Sequence, residues 1–344
     1  MKLFFFSIYI SLFLFSNCSS SYTSFIEFKM EDDVKVNDMS ETYLSVPLDM
    51  ELRNGKIFVS DFRGDSLLWC FSLLNPDLTK RLLPLGDGPD EYLSPVQFFI
   101  KDSLITVHNR WHYSLRFCKF DTINYTIKNV SHSISLPTEI DRIYSIRDDR
   151  WVASGRFDNY RFAIIDKDGN IISRCGDYPS YMYNEESISN FSKFMFHQSM
   201  FGYNNGIGRL ASVTEHVLEL WNDEKPDLYL HMRLLLSPYS YNYQEGEEWA
   251  LAIADGKVEK GVERIYCTDN YIYMLYNPNT HQMISDKEDY KNSEIWIFDW
   301  ECTPILKLKT GSKISCFCVD ESKRVIYCIF KDKNYNLGYL NYEL

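Results

Sequence analysis

The feature that most constrains this chain is a repeat. Short apolar, β-branched and aromatic runs, separated by turn residues, recur as groups of about 40–50 residues, the length of a propeller blade. The first group holds runs at 56–60, 66–71 and 80–85, and the second at 103–107, 115–118 and 125–127. A third follows at 151–154, 162–166 and 171–174, a fourth at 209–213 and 217–221, and a fifth at 271–275 and 294–298. The last has 324–329 and 337–340, after which the chain stops. Six such units predict an all-β, six-bladed β-propeller with four-stranded blades. They argue against the alternative of two packed sandwiches. The aromatic share of 16%, with 25 Tyr and 23 Phe, also leans towards strands.

The sixth unit ends after its third strand, so its fourth must come from elsewhere. Residues 25–30 alternate apolar and polar side chains ahead of the first unit. They are predicted to complete the last blade and close the ring, which removes exposed sheet edges.

The start of the chain reads as an address. Lys2 precedes an apolar run at 3–15, broken only by Ser7 and Ser11, too short to span a bilayer and typical of a signal-peptide core. Cys18 follows after Ser16 and Asn17, as in the lipobox of bacterial lipoproteins, although Asn17 stands where a small Gly or Ala is usual. The expected organisation is a signal peptide at 1–17, a tether at 18–24 and one propeller domain at 25–344, lipidated at Cys18. Ser19-Ser20-Ser21-Tyr22 carries no acidic cluster, which favours the periplasmic side of the outer membrane. The net charge of -12, with no cluster of Lys or Arg, argues against nucleic acid as a partner.

Eight cysteines follow Cys18, mostly single residues inside apolar runs, where cysteine behaves as a small buried hydrophobe. Cys316 and Cys318 share a strand face, and Cys328 on the next strand could offer one of them a bridge. No paired C-x-x-C set suggests zinc. His108 and His112 lie too far apart on a strand, about 13 Å at ~3.3 Å per residue, to share an ion. Asp166-Lys167-Asp168-Gly169-Asn170 lacks the distal Glu of a calcium loop and reads as a hairpin turn. No metal or cofactor is expected.

Leu85-Gly86-Asp87-Gly88-Pro89-Asp90-Glu91-Tyr92 resembles the G-x-G-P-G-E-[FY] stretch of TolB-like six-bladed propeller lipoproteins of diderm gut anaerobes, with Asp90 in place of a glycine. The resemblance implies a six-bladed fold, an envelope location and a binding or scaffolding role, and brings no catalytic residues.

In a propeller, the inter-blade loops share a face with the loops between second and third strands. Long segments of this kind lie at 86–92, 179–193, 237–261 and 280–293. They carry Tyr181, Tyr183, Tyr239, Tyr241, Tyr243, Trp249 and Tyr290, with Glu185, Glu186, Glu245, Glu247 and Glu248. Aromatic loops on a rigid scaffold suit recognition. The predicted ligand-binding residues are Asp87, Gly88, Asp90, Glu91, Tyr92, Tyr181, Tyr241 and Trp249. The expected partner is an envelope protein, peptide or glycan. The alternative is a glycan hydrolase or lyase with carboxylates over the central channel. The Glu245–Glu248 group reads as a solvated charge cluster, and no nucleophile elbow is present.

Overall fold

The computed structural model describes residues 26–75, 78–287 and 291–344. Six sheets of consecutive antiparallel strands occupy 47–84, 96–135, 140–175, 200–235, 259–309 and 313–341. They form the six blades of a propeller. Their innermost strands are Pro47–Arg53, Val96–Lys101, Ile140–Ile146, Met200–Asn204, Glu259–Cys267 and Lys313–Asp320.

The apolar runs found in the sequence are mostly the second and third strands, while those at 80–85, 125–127 and 171–174 fall on the outer, fourth strands of blades one, two and three. Ser66–Ser72 is buried at every position, as are Arg150–Gly155 and Phe162–Ile165. A strand in mid-blade has a neighbouring blade on each face, so both of its side-chain rows need to be apolar. Among the described residues, six of the seven apolar clusters bridge adjacent blades. Phe58, Leu68 and Cys70 of blade one meet Val107, Cys118 and Phe120 of blade two, and Leu220 of blade four meets Met274 and Phe298 of blade five.

An N-terminal strand does close the ring, but a different one from that expected. Asn37–Glu41 pairs antiparallel with Tyr335–Asn341 and supplies the fourth strand of blade six. Thr42 reinforces the joint, its hydroxyl and its amide both donating to Tyr335 O at 2.7 and 3.0 Å. Ahead of it, Met30–Asp33 adds to blade five as a fifth strand, parallel to Pro304–Lys309. Ile26 and Phe28, assigned to closure from their alternation, instead pack on the core between blades four and five, with Phe28 edge-on to Trp296 and Phe298. Their apolar character serves that packing. Phe25, the signal segment 1–17, the tether and Cys18 lie outside the described residues.

The bridge considered for Cys328 does not form, and all eight described cysteines are free thiols. The register explains it. Cys328 pairs with Phe317, whereas Cys316 and Cys318 pair with Ile329 and Tyr327. Side chains alternate across a strand, so Cys328 lies on the opposite face of blade six from the other two. The Asp-Gly segment is a turn, with Asp166 Oδ1 accepting from the amides of Asp168 and Asn170 at 2.9 and 2.8 Å.

Removing residues up to Glu41 should open blade six and expose the edge of Tyr335–Asn341. Losing several kcal/mol of pairing should lower the thermal midpoint by roughly 10 °C, at 2–4 °C per kcal/mol, and promote self-association. Calorimetry and size-exclusion chromatography would check this; an unchanged midpoint would show that the ring does not depend on the strand.

Candidate functional site

Each inner strand starts at the end of an inter-blade loop and runs away from that face. A central cavity of about 1300 Å³ is walled by all six inner strands. Near the loop face it is bordered by Asp49, Arg110, Asp141, Arg142 and Arg264. Asp141 is buried and paired with Arg110, while Asp49 lies 3.9 Å from Arg264 Nε. Deeper, Glu51 and Arg53 form an ion pair of 2.7 Å on the wall that also includes Tyr144 and Tyr266. Asp49, Glu51 and Arg53 alternate along one strand and so share a face. Burial pushes the Glu51 carboxyl up to about 7, against the opposing pull of Arg53.

On the same face, three insertions build a cap over the junctions of blades three, four and five. The first contains a 3-10 turn, Glu185–Ser187, and a helix, Asn190–Phe196. The second is a hairpin, Tyr241–Glu245 with Ala250–Ala254. The third is the helix His281–Asp286, inserted in blade five, whose first two amides donate to Val258 and Gly256 carbonyls at 3.0 and 2.8 Å.

One carboxylate holds the first two insertions together. Glu185, fully buried, accepts from Tyr239 and Tyr241 hydroxyls at 2.7 and 3.0 Å and from Tyr181 and Met182 amides at 2.9 and 3.1 Å. His197 Nε2 lies 2.7 Å from Oε1, the oxygen that also accepts from Tyr241. Burial pulls the Glu185 carboxyl upward, but the bonds from His197 and Tyr239 outweigh it and hold it below its ordinary value. Burial dominates at His197 and lowers its value despite Glu185. Phe196 stacks on Tyr241 with centroids 3.9 Å apart. Glu245 accepts from Ser189 and Ser192 at the start of the helix, so it is a fastening rather than a free carboxylate.

The predicted residues fall into three groups. Asp87, Gly88, Asp90, Glu91 and Tyr92 lie at the junction of blades one and two, diametrically across the ring from the hairpin. There Glu91 Oε2 accepts from the Gly88 amide at 2.8 Å, and a Cβ on Gly86 would lie 2.0 Å from that oxygen. The two glycines make room for the carboxylate that folds the loop. Tyr92 is fully buried, under the Arg116 guanidinium, with its hydroxyl 3.1 Å from Cys118 Sγ. Asp87 and Asp90 are exposed, Asp87 being 2.9 Å from His112 Nε2. Tyr181 and Tyr241 meet at Glu185, inside the cap. Trp249 is 54% exposed at the hairpin tip, and Leu251 and Ile253 follow it on the outward face. Tyr183 is exposed, and Tyr290 lies outside the described residues.

The channel residues were missed because the inner strands are not apolar runs. Their signal was there: Asp49, Glu51 and Arg53 alternate with Met50 and Leu52 just ahead of the first unit.

Residues 24–322 match the family described as TolB-like 6-blade propeller-like. No curated protein matches the chain. Among solved structures, a Bacteroides fragilis protein described as exported aligns at TM-score 0.58 and 10% identity, covering 92% of this chain and 99% of its own. Chaetomium thermophilum Raptor aligns at TM-score 0.51 and 8% identity, over 90% of this chain and 30% of its own. A member of the DUF4221 family from Bacteroides vulgatus covers 89% of this chain and 97% of its own, at TM-score 0.49 and 13% identity. At these identities the first two show a shared fold.

The buried imidazoles predict acid sensitivity. Burial holds His108 down to about 4 and His216 to about 3, and lowers His197. Between the ordinary imidazole value and these, the three imidazoles bind more protons in the unfolded chain, which outweighs the one proton that Glu51, pushed up to about 7, takes up in the folded chain over the same range. Stability should therefore fall as pH drops from about 7 towards 4. Glu185, held low, adds to the loss only as pH falls below the ordinary carboxylate value. Thermal midpoints across that range should decline steadily; a flat profile would contradict neutral buried imidazoles.

Proposed function

Because this chain belongs to the TolB-like six-bladed propeller family, we propose that it is an exported, envelope-anchored binding propeller whose inter-blade loop face recognises a protein, peptide or glycan. The observation that carries this reading is the outward row Trp249, Leu251 and Ile253, each more than two-fifths exposed. The hairpin beneath it packs Tyr241, Ala252 and Ala254 into an apolar cluster and is fastened through Glu185 and Glu245. Apolar side chains displayed on a rigid support are what a recognition surface needs, because little ordering entropy is lost on binding. The signal segment and Cys18 support export and a lipid anchor, and the non-acidic Ser19-Ser20-Ser21-Tyr22 supports the periplasmic side of the outer membrane. Asp87 and Asp90 contribute at the rim of the same face, and Tyr181 contributes from within the cap. Gly88, Glu91, Tyr92 and Tyr241 act by shaping the loops that carry them.

Binding to panels of peptides and glycans tests this. Trp249→Ala together with Ile253→Ser should weaken the best ligand by about 2 kcal/mol or more, the size expected of an aromatic anchor. The thermal midpoint should stay near that of the parent, because both positions are exposed. Full affinity in the double variant would remove the hairpin from the site.

A glycan hydrolase or lyase is the second reading, and Glu51 is the observation in its favour. A carboxyl pushed up to about 7 inside a channel can protonate a glycosidic oxygen near neutral pH, with Asp49 on the same strand face as the other carboxylate. On this reading the glycan panel shows turnover that Glu51→Gln abolishes, with a pH limb near 7. Saturable binding without turnover would discard it.

A further inference from the structure

The channel mouth carries a charge pattern that the cap does not account for. Arg110 comes from the turn after the second strand of blade two, Arg142 from the inner strand of blade three and Arg264 from that of blade five. With Asp49 and Asp141 they make three guanidiniums against two carboxylates, in a protein of net charge -12. The carboxylates do not saturate the arginines. Arg142 Nε is 3.8 Å from Asp141, beyond hydrogen-bond reach, and its Nη1 makes one long bond to Ser199 O at 3.4 Å. Arg264 donates through Nε and Nη1 to the carbonyls of Leu48 and Glu263. Among the described residues, Arg142 Nε and Nη2 and Arg264 Nη2 make no hydrogen bond. A guanidinium has five N–H donors, so donors at the mouth outnumber the acceptors offered to them.

Both side chains are also partly withdrawn from water, Arg142 being 37% and Arg264 29% exposed. Burial lowers the Arg142 value, which marks the cost of keeping its charge there. An anion entering the mouth would offset that cost through paired, charge-assisted bonds in a fork geometry. Beneath the arginines the wall carries Met200, Phe201, Tyr144 and Tyr266 beside the Glu51–Arg53 ion pair, in which the Glu51 carboxylate is already matched by a cation.

We propose that the mouth of the channel binds a small organic carboxylate, its head held between Arg142 and Arg264 and its body lying against that aromatic wall. The proposal deepens the loop-face reading and rests on it, but uses residues separate from the hairpin row. A carboxylate of this kind belongs either to a peptide C-terminus or to an acidic sugar, and matched probes separate the two.

Calorimetric titration of the protein with N-acetylphenylalanine against its amide, with glucuronate against glucose, and with inorganic phosphate is the test. At least one organic acid should bind with a Kd below about 1 mM, and its neutral counterpart about tenfold or more weaker. Preference for N-acetylphenylalanine assigns a peptide end, and preference for glucuronate an acidic sugar. Arg264→Gln and Arg142→Gln should each weaken the acid by about tenfold or more, and Arg142→Lys should recover part of the loss. Ile123→Ser, on an exposed turn of blade two that belongs to neither the hairpin row nor the channel, should leave the acid unaffected. Should Arg142→Gln fold poorly, Arg264→Gln and the loss of affinity with added salt still decide. Equal binding of acid and neutral probes overturns the proposal. So does the absence of binding by every organic acid, or phosphate binding alone, or full affinity in folded glutamine variants. If Trp249→Ala abolishes partner binding while the arginine variants change nothing, the loop-face reading stands and this one falls.

Discussion

Everything in this molecule depends on the pairing of Asn37–Glu41 with Tyr335–Asn341, which joins segments some 300 residues apart. Without it, blade six has three strands and a bare edge. The cluster linking blade six to blade one, Cys316, Cys318 and Leu337 against Ile57, Val59 and Trp69, also forms only when the chain has come full circle. The channel is a by-product of that closure, since its wall is the ring of inner strands. Such non-local pairing has a large loop-closure cost before it is rewarded, which places the fold among slow-forming topologies.

Charge is used inside the ring to set position rather than to add stability. Glu219 of blade four, fully buried, accepts from Arg233 Nε at 2.6 Å and from Arg161, which precedes the third strand of blade three. Arg161 also reaches Ser199 and Ser212 hydroxyls at 3.0 and 3.3 Å. A second knot on these blades gathers Arg147, Arg150 and Tyr203 on Asp223. Buried ionic clusters are worth little net against an apolar replacement, yet losing one partner strands the rest at about 3–5 kcal/mol. The seam between blades three and four is thereby locked in one arrangement, and it is on this seam that the cap stands.

The strands of mid-blade were legible because two blade faces enclose them, so runs such as Leu67-Leu68-Trp69-Cys70-Phe71 admit no polar break. The inner strands were not, because one edge borders a polar cavity and Asp49, Glu51, Arg53 and Arg142 interrupt the apolar pattern there. The closing strand Asn-Asp-Met-Ser-Glu is mostly exposed and polar, so residues 25–30 looked the better strand; what identifies 37–41 is register, which only the paired partner supplies. The aromatic loops were found, but not their division of labour. Tyr241 and Trp249 look alike in sequence, and only the presence of Glu185 beneath one of them separates a buried fastening from an exposed surface. The glycine motif was recognised as a loop, and its chemistry turned out to be a carboxylate folding over Gly86 and Gly88.

The strand Met30–Asp33 has a mechanical consequence. It is hydrogen-bonded to Pro304–Lys309, and its Glu31 lies 2.9 and 3.1 Å from the ammonium groups of Lys307 and Lys309. Tension applied to the chain ahead of Met30 must break this short ladder before any of it reaches Asn37–Glu41. The ladder acts as a strain relief, like the clamp on a cable, taking load at the rim of blade five so that the joint sealing the ring is shielded from it.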